Sequence, residues 1–147
     1  IDNGQFTDTK QLELNELLKQ YLQDYEEVYD YRNIEVTIDE QDIFNVTMNE
    51  SLAVALLTNL LKNAFVHNID GGHIRITVTK NSITFRNSGV ENPLDKEHIF
   101  ERFYQGTKKE GSTGLGLAIA DSICRLQHLS IRYYFEQKEH CFEISRQ

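Results

Sequence analysis

One helix-length stretch constrains this chain more than any other. Between Met48 and His67, Leu52, Leu56, Leu57, Leu60, Leu61 and Ala64 recur at helical spacing and make an apolar face that must be buried against something wide. Along one side of the same stretch, Asn59, Asn63 and His67 follow at i, i+4 and i+8, so they form a polar line on an otherwise apolar element. Such a line has two readings. It is a solvated face, with asparagines bonding neighbouring backbone. Or it is a site, in which an amide oxygen ligates a hard cation while its neighbours touch a ligand.

The flanking segments give that helix a sheet to pack on. Thr47 and Glu50 read as a capping box that opens it, and Asp70-Gly71-Gly72 closes it. Upstream, Gln11 to Leu14 alternates as a short strand. Leu14, Leu17, Leu18, Tyr21, Leu22, Tyr25, Val28 and Tyr29 then line one face of a first helix, with Asn15 as its cap. Ile34–Ile38 and Asp42–Val46 alternate and read as paired strands. His73–Thr79 and Ser82–Arg86 make a second pair around Lys80-Asn81. Asp95–Tyr104 reads as helical, and Gln105–Thr113 as a polar, cationic loop. Leu115–Gln127 is a further helix, and Ile131–Phe135 with Cys141–Ser145 a closing hairpin. Helices alternating with strand pairs predict an α/β two-layer sandwich, with the helices on one face of a mixed sheet.

Charge narrows the function classes. The formal net charge is −8, whereas a nucleic-acid-binding surface is usually basic, so nucleic acid is not an expected partner. A phosphate ligand would have to be held by local backbone dipoles, a metal and a few cations. The longest apolar run, Leu52 to Leu57, is too short to span a bilayer. Two cysteines, Cys124 and Cys141, make no disulfide framework and are expected to be reduced and buried.

The segment Gly111-Ser112-Thr113-Gly114-Leu115-Gly116-Leu117 runs from a loop into a helix. Glycines let backbone approach a phosphate, and a helix start offers free N–H groups and a positive dipole end. It lacks the Gly-Lys-Ser/Thr of a Walker loop, and it does not follow a strand as a dinucleotide fingerprint does.

Four segments together resemble the motifs of histidine kinases. Asn59 to Asn68 resembles the N box, Asn87-Ser88-Gly89 a reduced G1 box, Ile99 to Tyr104 the F box, and Gly111 to Leu117 the G2 box. They stand in family order, and residues 1–18 resemble the entry into the catalytic domain. The resemblance implies the Bergerat fold shared with gyrase, the Hsp90 chaperones and MutL: a mixed, mostly antiparallel sheet covered on one face by three helices. It implies a junction over residues 1–10, leading from a dimerisation and phosphoacceptor domain, and a catalytic ATP-binding domain over residues 11–147. The function implied is Mg-ATP binding and transfer of the γ-phosphoryl to a histidine on that separate domain. The implied setting is a homodimeric parent protein, a downstream response regulator, and a cytoplasmic location for this part of a membrane-anchored kinase.

The resemblance also implies roles. Asn63 would hold Mg²⁺, and Asn59 would line the phosphate side and act in catalysis. His67 would lie against the nucleotide. Asn87 would accept from the adenine amino group, with Gly89 letting the turn pass close to the base. Gly111, Thr113, Gly114 and Gly116 would frame the phosphates, and Leu115 and Leu117 would anchor the helix. Three departures stand out: Val66 where many members carry a cation, Asn87 in place of Asp, and Val90-Glu91 where a second glycine is usual. Arg102, with a catalytic role, and Lys108 and Lys109 in ATP binding are the replacement cations. An alternative reading is a degenerate interaction module that binds nucleotide weakly. A chaperone or mismatch-repair type of ATPase is disfavoured by the F box. None of the five histidines, His67, His73, His98, His128 and His140, precedes Glu or Asp, so none is expected to be the phosphoacceptor.

Overall fold

The computed structural model describes residues 8–101 and 115–147. A short strand β1 (Lys10–Glu13) leads directly into α1 (Leu14–Val28), and a 3-10 turn (Asp30–Arg32) follows. Then come β2 (Glu35–Glu40), β3 (Asn45–Met48), α2 (Glu50–Val66), β4 (His73–Val78), β5 (Ser82–Asn87), α3 (Gly116–Leu126), β6 (Leu129–Glu136) and β7 (Glu139–Arg146). The main sheet has the order β2-β4-β5-β7-β6. Among the described residues only β2 and β4 are parallel, and the crossover that joins them contains α2. The helices pack on one face of this mixed sheet, as expected: α2 touches α1, α3 and β5, and α3 also touches β6.

Alternation sets the two faces. Ile74, Ile76 and Val78 on β4, Ile83 and Phe85 on β5, and Phe142 and Ile144 on β7 are buried toward the helices. They meet Leu56, Leu57, Leu60, Leu61, Ala64 and Phe65 of α2, all of which are at most 1% exposed. The register also puts Ile74, Asn87, His140 and Phe135 side by side across four strands on that inner face. The opposite face carries Arg75, Arg86, Arg132 and Glu143; Arg75 makes a bidentate pair with Glu139.

Four local expectations are corrected. β2 and β3 do not pair with each other: β2 runs parallel to β4, and β3 pairs antiparallel with β1 in a separate two-stranded sheet. Phe44, in the connection between them, is fully buried. Asn15 is not a helix cap but the plug of that connection. Its Oδ1 accepts from the Phe44 amide at 2.9 Å, and its Nδ2 donates to Glu40 Oε1 and the Asp42 carbonyl, each at 3.0 Å. Glu13 stands at the cap position of α1. The cap of α2 is Asn49 rather than Thr47: its Oδ1 accepts from the Leu52 amide at 3.0 Å, while Glu50 pairs with Lys10. Asp95 to Glu101 forms consecutive turns rather than a regular helix, with Asp95 Oδ1 accepting from the Glu97 amide at 3.0 Å.

Candidate functional site

The polar line of α2 lies where the sequence put it. Asn59, Asn63 and His67 are half-buried, in a helix whose remaining faces are mostly buried. Asn59 Nδ2 donates to the Ala55 carbonyl one turn back at 2.7 Å, which leaves its Oδ1 aimed at the start of α3. A Cβ on Gly116 would lie 3.1 Å from that oxygen. The Asn63 amide has no hydrogen-bond partner among the described residues. It therefore presents a hard oxygen donor that the fold itself does not use.

At its far end, α2 is tied to the end of β5. Asn68 is fully buried. Its Nδ2 donates to the Ala64 and His73 carbonyls, and its Oδ1 accepts from the Ile69 amide and from Ser88 Oγ. Ser88 Oγ in turn accepts from the His73 amide at 2.9 Å. Arg32 reaches the Phe65, Val66 and Asn68 carbonyls and Asp70, so a cation from outside α2 satisfies its C-terminal end. The Val66 side chain is buried, 7% exposed.

This knot delivers Asn87 and Gly89 beside α2. Asn87 is 2% exposed; its Nδ2 donates to the Ser88 carbonyl at 2.8 Å. Its Oδ1 is buried and has no partner among the described residues. A buried acceptor left empty costs about 1–3 kcal/mol, so its retention points to a donor that arrives from outside. Gly89 has to be glycine: a Cβ there would sit 2.8 Å from the His67 carbonyl oxygen and 3.2 Å from the His140 ring. The turn thus leaves no room for a side chain between α2 and β7.

The site residues called by sequence fall into two sets. Asn59 and Gly116 meet where α2 and α3 adjoin, and His67 and Gly89 meet at the end of β5, with Asn87 on the same strand. Leu115 and Leu117 are half-buried at the start of α3, and Leu117 packs against the core. Arg102, Lys108, Lys109, Gly111, Thr113 and Gly114 lie outside the described residues, as do the loop expected over Gln105–Thr113 and most of the expected junction. Both cysteines are free and buried, as expected, and burial pushes the Cys124 thiol up to about 12 and Cys141 up to about 11.

Sequence reasoning missed Asn68 as a structural tie and took His140 only as one of five histidines, with no place beside the site. The signal for His140 was present: strand alternation with Phe142 and Ile144 placed it on the buried face. Burial pulls His140 below the usual histidine range, with its bond to the Val90 carbonyl opposing. The fit to an adenine nucleotide with a hard cation is good. Asn87 supplies a buried acceptor without a partner among the described residues, and Asn63 offers an unused amide oxygen.

The chain is similar to known proteins in the same sense. Residues 48–145 match the family of histidine kinase-, DNA gyrase B-, and HSP90-like ATPases. The heme sensor protein HssS of Staphylococcus aureus (strain Newman) is 33% identical over 141 residues, covering 90% of this chain. The chain spans 30% of the length of that relative. The catalytic domain of histidine kinase ThkA, in a nucleotide-free form, superposes with a TM-score of 0.82 over 94% of each chain at 24% identity, which shows the fold. ThkA in complex with the response regulator TrrA matches 95% of this chain and 42% of that one, with a TM-score of 0.75 and 25% identity.

Proposed function

The chain belongs to the histidine kinase-, DNA gyrase B-, and HSP90-like ATPases, and from that premise we propose that it is the ATP-binding domain of a sensor histidine kinase, which binds Mg-ATP and presents the γ-phosphoryl to a histidine on a separate dimerisation domain. The observation that carries the reading is the Asn87 Oδ1: a buried acceptor, without a partner among the described residues, beside a turn that tolerates no side chain.

In this reading Asn87 accepts from the adenine amino group. His67 lies against the nucleoside, and Asn63 turns its amide oxygen to the metal. Asn59 lines the phosphate side below Gly116. Arg102, Lys108 and Lys109 meet the phosphates, framed by Gly111, Thr113 and Gly114. Mg²⁺, when bound, neutralises phosphate charge and takes only one or two protein oxygens, which suits a single asparagine. Phosphoryl transfer needs mainly positioning and charge neutralisation, so this domain holds the donor while the partner supplies the nucleophile. Residues 1–10 would be the junction from that partner domain. The downstream acceptor would be a response regulator, as in the ThkA–TrrA complex. The parent protein would be a homodimer with this domain on the cytoplasmic side. Among the described residues no helix is long and apolar enough to cross a membrane.

Val66, where the resemblance implies a cation in many members, favours a second reading as a weakly nucleotide-binding interaction module. Calorimetric titration with ATP, with and without Mg²⁺, separates the two: the main reading expects Mg²⁺-enhanced binding, and absence of any ATP binding rejects it. The chain alone should retain no label from γ-labelled ATP on a histidine. A stable phosphohistidine among His67, His73, His98, His128 and His140 would contradict the division of labour.

A further inference from the structure

Behind the Asn87–Gly89 turn lies a hydrogen-bonded relay that none of the motif residues supplies. His140 stands directly across from Asn87 in the β5–β7 register, on the inner face of the sheet. Its Nε2–H donates to the Val90 carbonyl at 2.6 Å. Its Nδ1 accepts from Tyr133 Oη–H at 2.8 Å, and that same Oη accepts from the Leu94 amide at 2.9 Å. The donor to a backbone carbonyl can only be an N–H, so the Val90 contact fixes the tautomer and leaves Nδ1 as the acceptor. Every polar atom in the chain Val90–His140–Tyr133–Leu94 is used. The ring is wedged as well: it lies 4.8 Å from the Phe135 ring and 5.9 Å from that of Tyr133, centroid to centroid. Gly89 passes close over its edge.

We infer that His140 and Tyr133 are positioning residues, which clamp the segment from Gly89 to Leu94 and thereby hold the base-recognition turn in its binding geometry. The inference rests on the reading of Asn87 as the adenine acceptor. It explains how the turn keeps its shape with Val90-Glu91 in place of a second glycine: the backbone at Val90 and at Leu94 is fastened from β7 and β6. Neither side chain touches the nucleotide in this arrangement. Both act through the backbone that carries Gly89 and, one residue before Ser88, Asn87.

Three variants of the whole chain test it. His140→Phe keeps a ring and removes both bonds. His140→Gln keeps one donor and one acceptor on an amide. Tyr133→Phe removes the hydroxyl alone. The first readout is amide exchange in the absence of nucleotide. His140→Phe and Tyr133→Phe should speed exchange at Leu94 by about tenfold while exchange in α2 stays unchanged, since one lost hydrogen bond is worth about that factor. The second readout is calorimetry with adenosine and with inorganic triphosphate. His140→Phe should weaken adenosine about tenfold and leave triphosphate unchanged, and His140→Gln should recover most of the loss. Unchanged Leu94 exchange in both variants overturns the clamp. So does an equal loss of adenosine and triphosphate, which would mark general damage. If the wild-type chain binds no adenosine, the adenine reading fails, and exchange at Leu94 still decides whether the clamp exists.

Discussion

The asparagines of this domain divide between two neighbouring regions. At the end of α2, Asn68 makes four hydrogen bonds, fully buried, and knits the helix to β4 and to Ser88. Within about one turn of helix and one strand of it, the Asn63 amide and the Asn87 Oδ1 have no partner among the described residues. The same chemical group thus builds the frame in one place and stands unused in the other. The difference teaches how fold and proposed site divide: a satisfied amide holds the structure, and in the proposed reading an unsatisfied one is kept for a ligand. The two regions need each other, because the knot at Asn68 and Ser88 fixes the turn on which Asn87 sits.

The sharpest way to break this contrast is to exchange the roles. Asn68→Ala should cost about 3 kcal/mol of unfolding free energy, because four backbone or hydroxyl groups, buried or part-buried, lose a partner at once. Chemical denaturation measures it, and a loss under about 1 kcal/mol would mean that the knot is not structural. Asn63→Ala should do the reverse. Its stability should stay within about 0.5 kcal/mol of wild type, since no bond is lost. The Mg²⁺-dependent part of ATP binding should fall by about 2 kcal/mol, the scale of a hydrogen-bond or ligand contact to a charged group. Equal ATP binding with and without the side chain would remove Asn63 from the metal site.

Much of this contrast could be read in the sequence, for a physical reason. The i, i+4, i+8 spacing of Asn59, Asn63 and His67 is a local property of a helix, and it survives folding unchanged. The partner of a side chain is not local. Asn15 looked like a cap from its place before an apolar run, but its bonds are to Glu40, Asp42 and Phe44, about 25 to 30 residues away. β2 and β3 looked like a hairpin because both alternate, yet alternation names a face and not a neighbour. His140 was visible as an inward strand position, while its bonds to Val90 and Tyr133 follow only from the sheet register.

Asn87→Asp sharpens the contrast from the side of the site. A carboxylate is a stronger acceptor for an amino group than an amide, by about 1 kcal/mol. In this chain, however, Asn87 Nδ2 donates to the Ser88 carbonyl. A carboxylate oxygen in that place would face a carbonyl oxygen. The aspartate variant should therefore lose about 1 kcal/mol of stability while preferring ATP over GTP more strongly than wild type. Thermal melts and paired titrations read the two quantities. Unchanged base preference would take Asn87 away from the base, and unchanged stability would mean that the Ser88 bond contributes nothing.

The smallest expected effect concerns pH and the clamp behind the turn. His140 is buried and neutral, and its folded pKa lies below the ordinary value of 6.5. The unfolded chain therefore takes up a proton first as the pH falls. The stability His140 contributes is complete above about pH 6.5 and is lost as the pH falls through its lower folded value. The groups facing the ring are Tyr133, Phe135, Asn87 and the Gly89–Val90 backbone, none of them charged, while the charged Glu139 points to the other face of the sheet with Arg75 and His73. The exposed Asp95–His98 pair works in the opposite direction, since Asp95 raises His98, and its contribution fades as pH rises through the raised value. That pair is common to both proteins in a comparison of wild type with His140→Phe, so it cancels. The urea midpoint of wild type should fall relative to the variant between pH 7.5 and 5.5. A difference that stays constant across that range would mean that His140 titrates alike in the folded and unfolded chains, and burial in the clamp would then not be what holds its ring neutral.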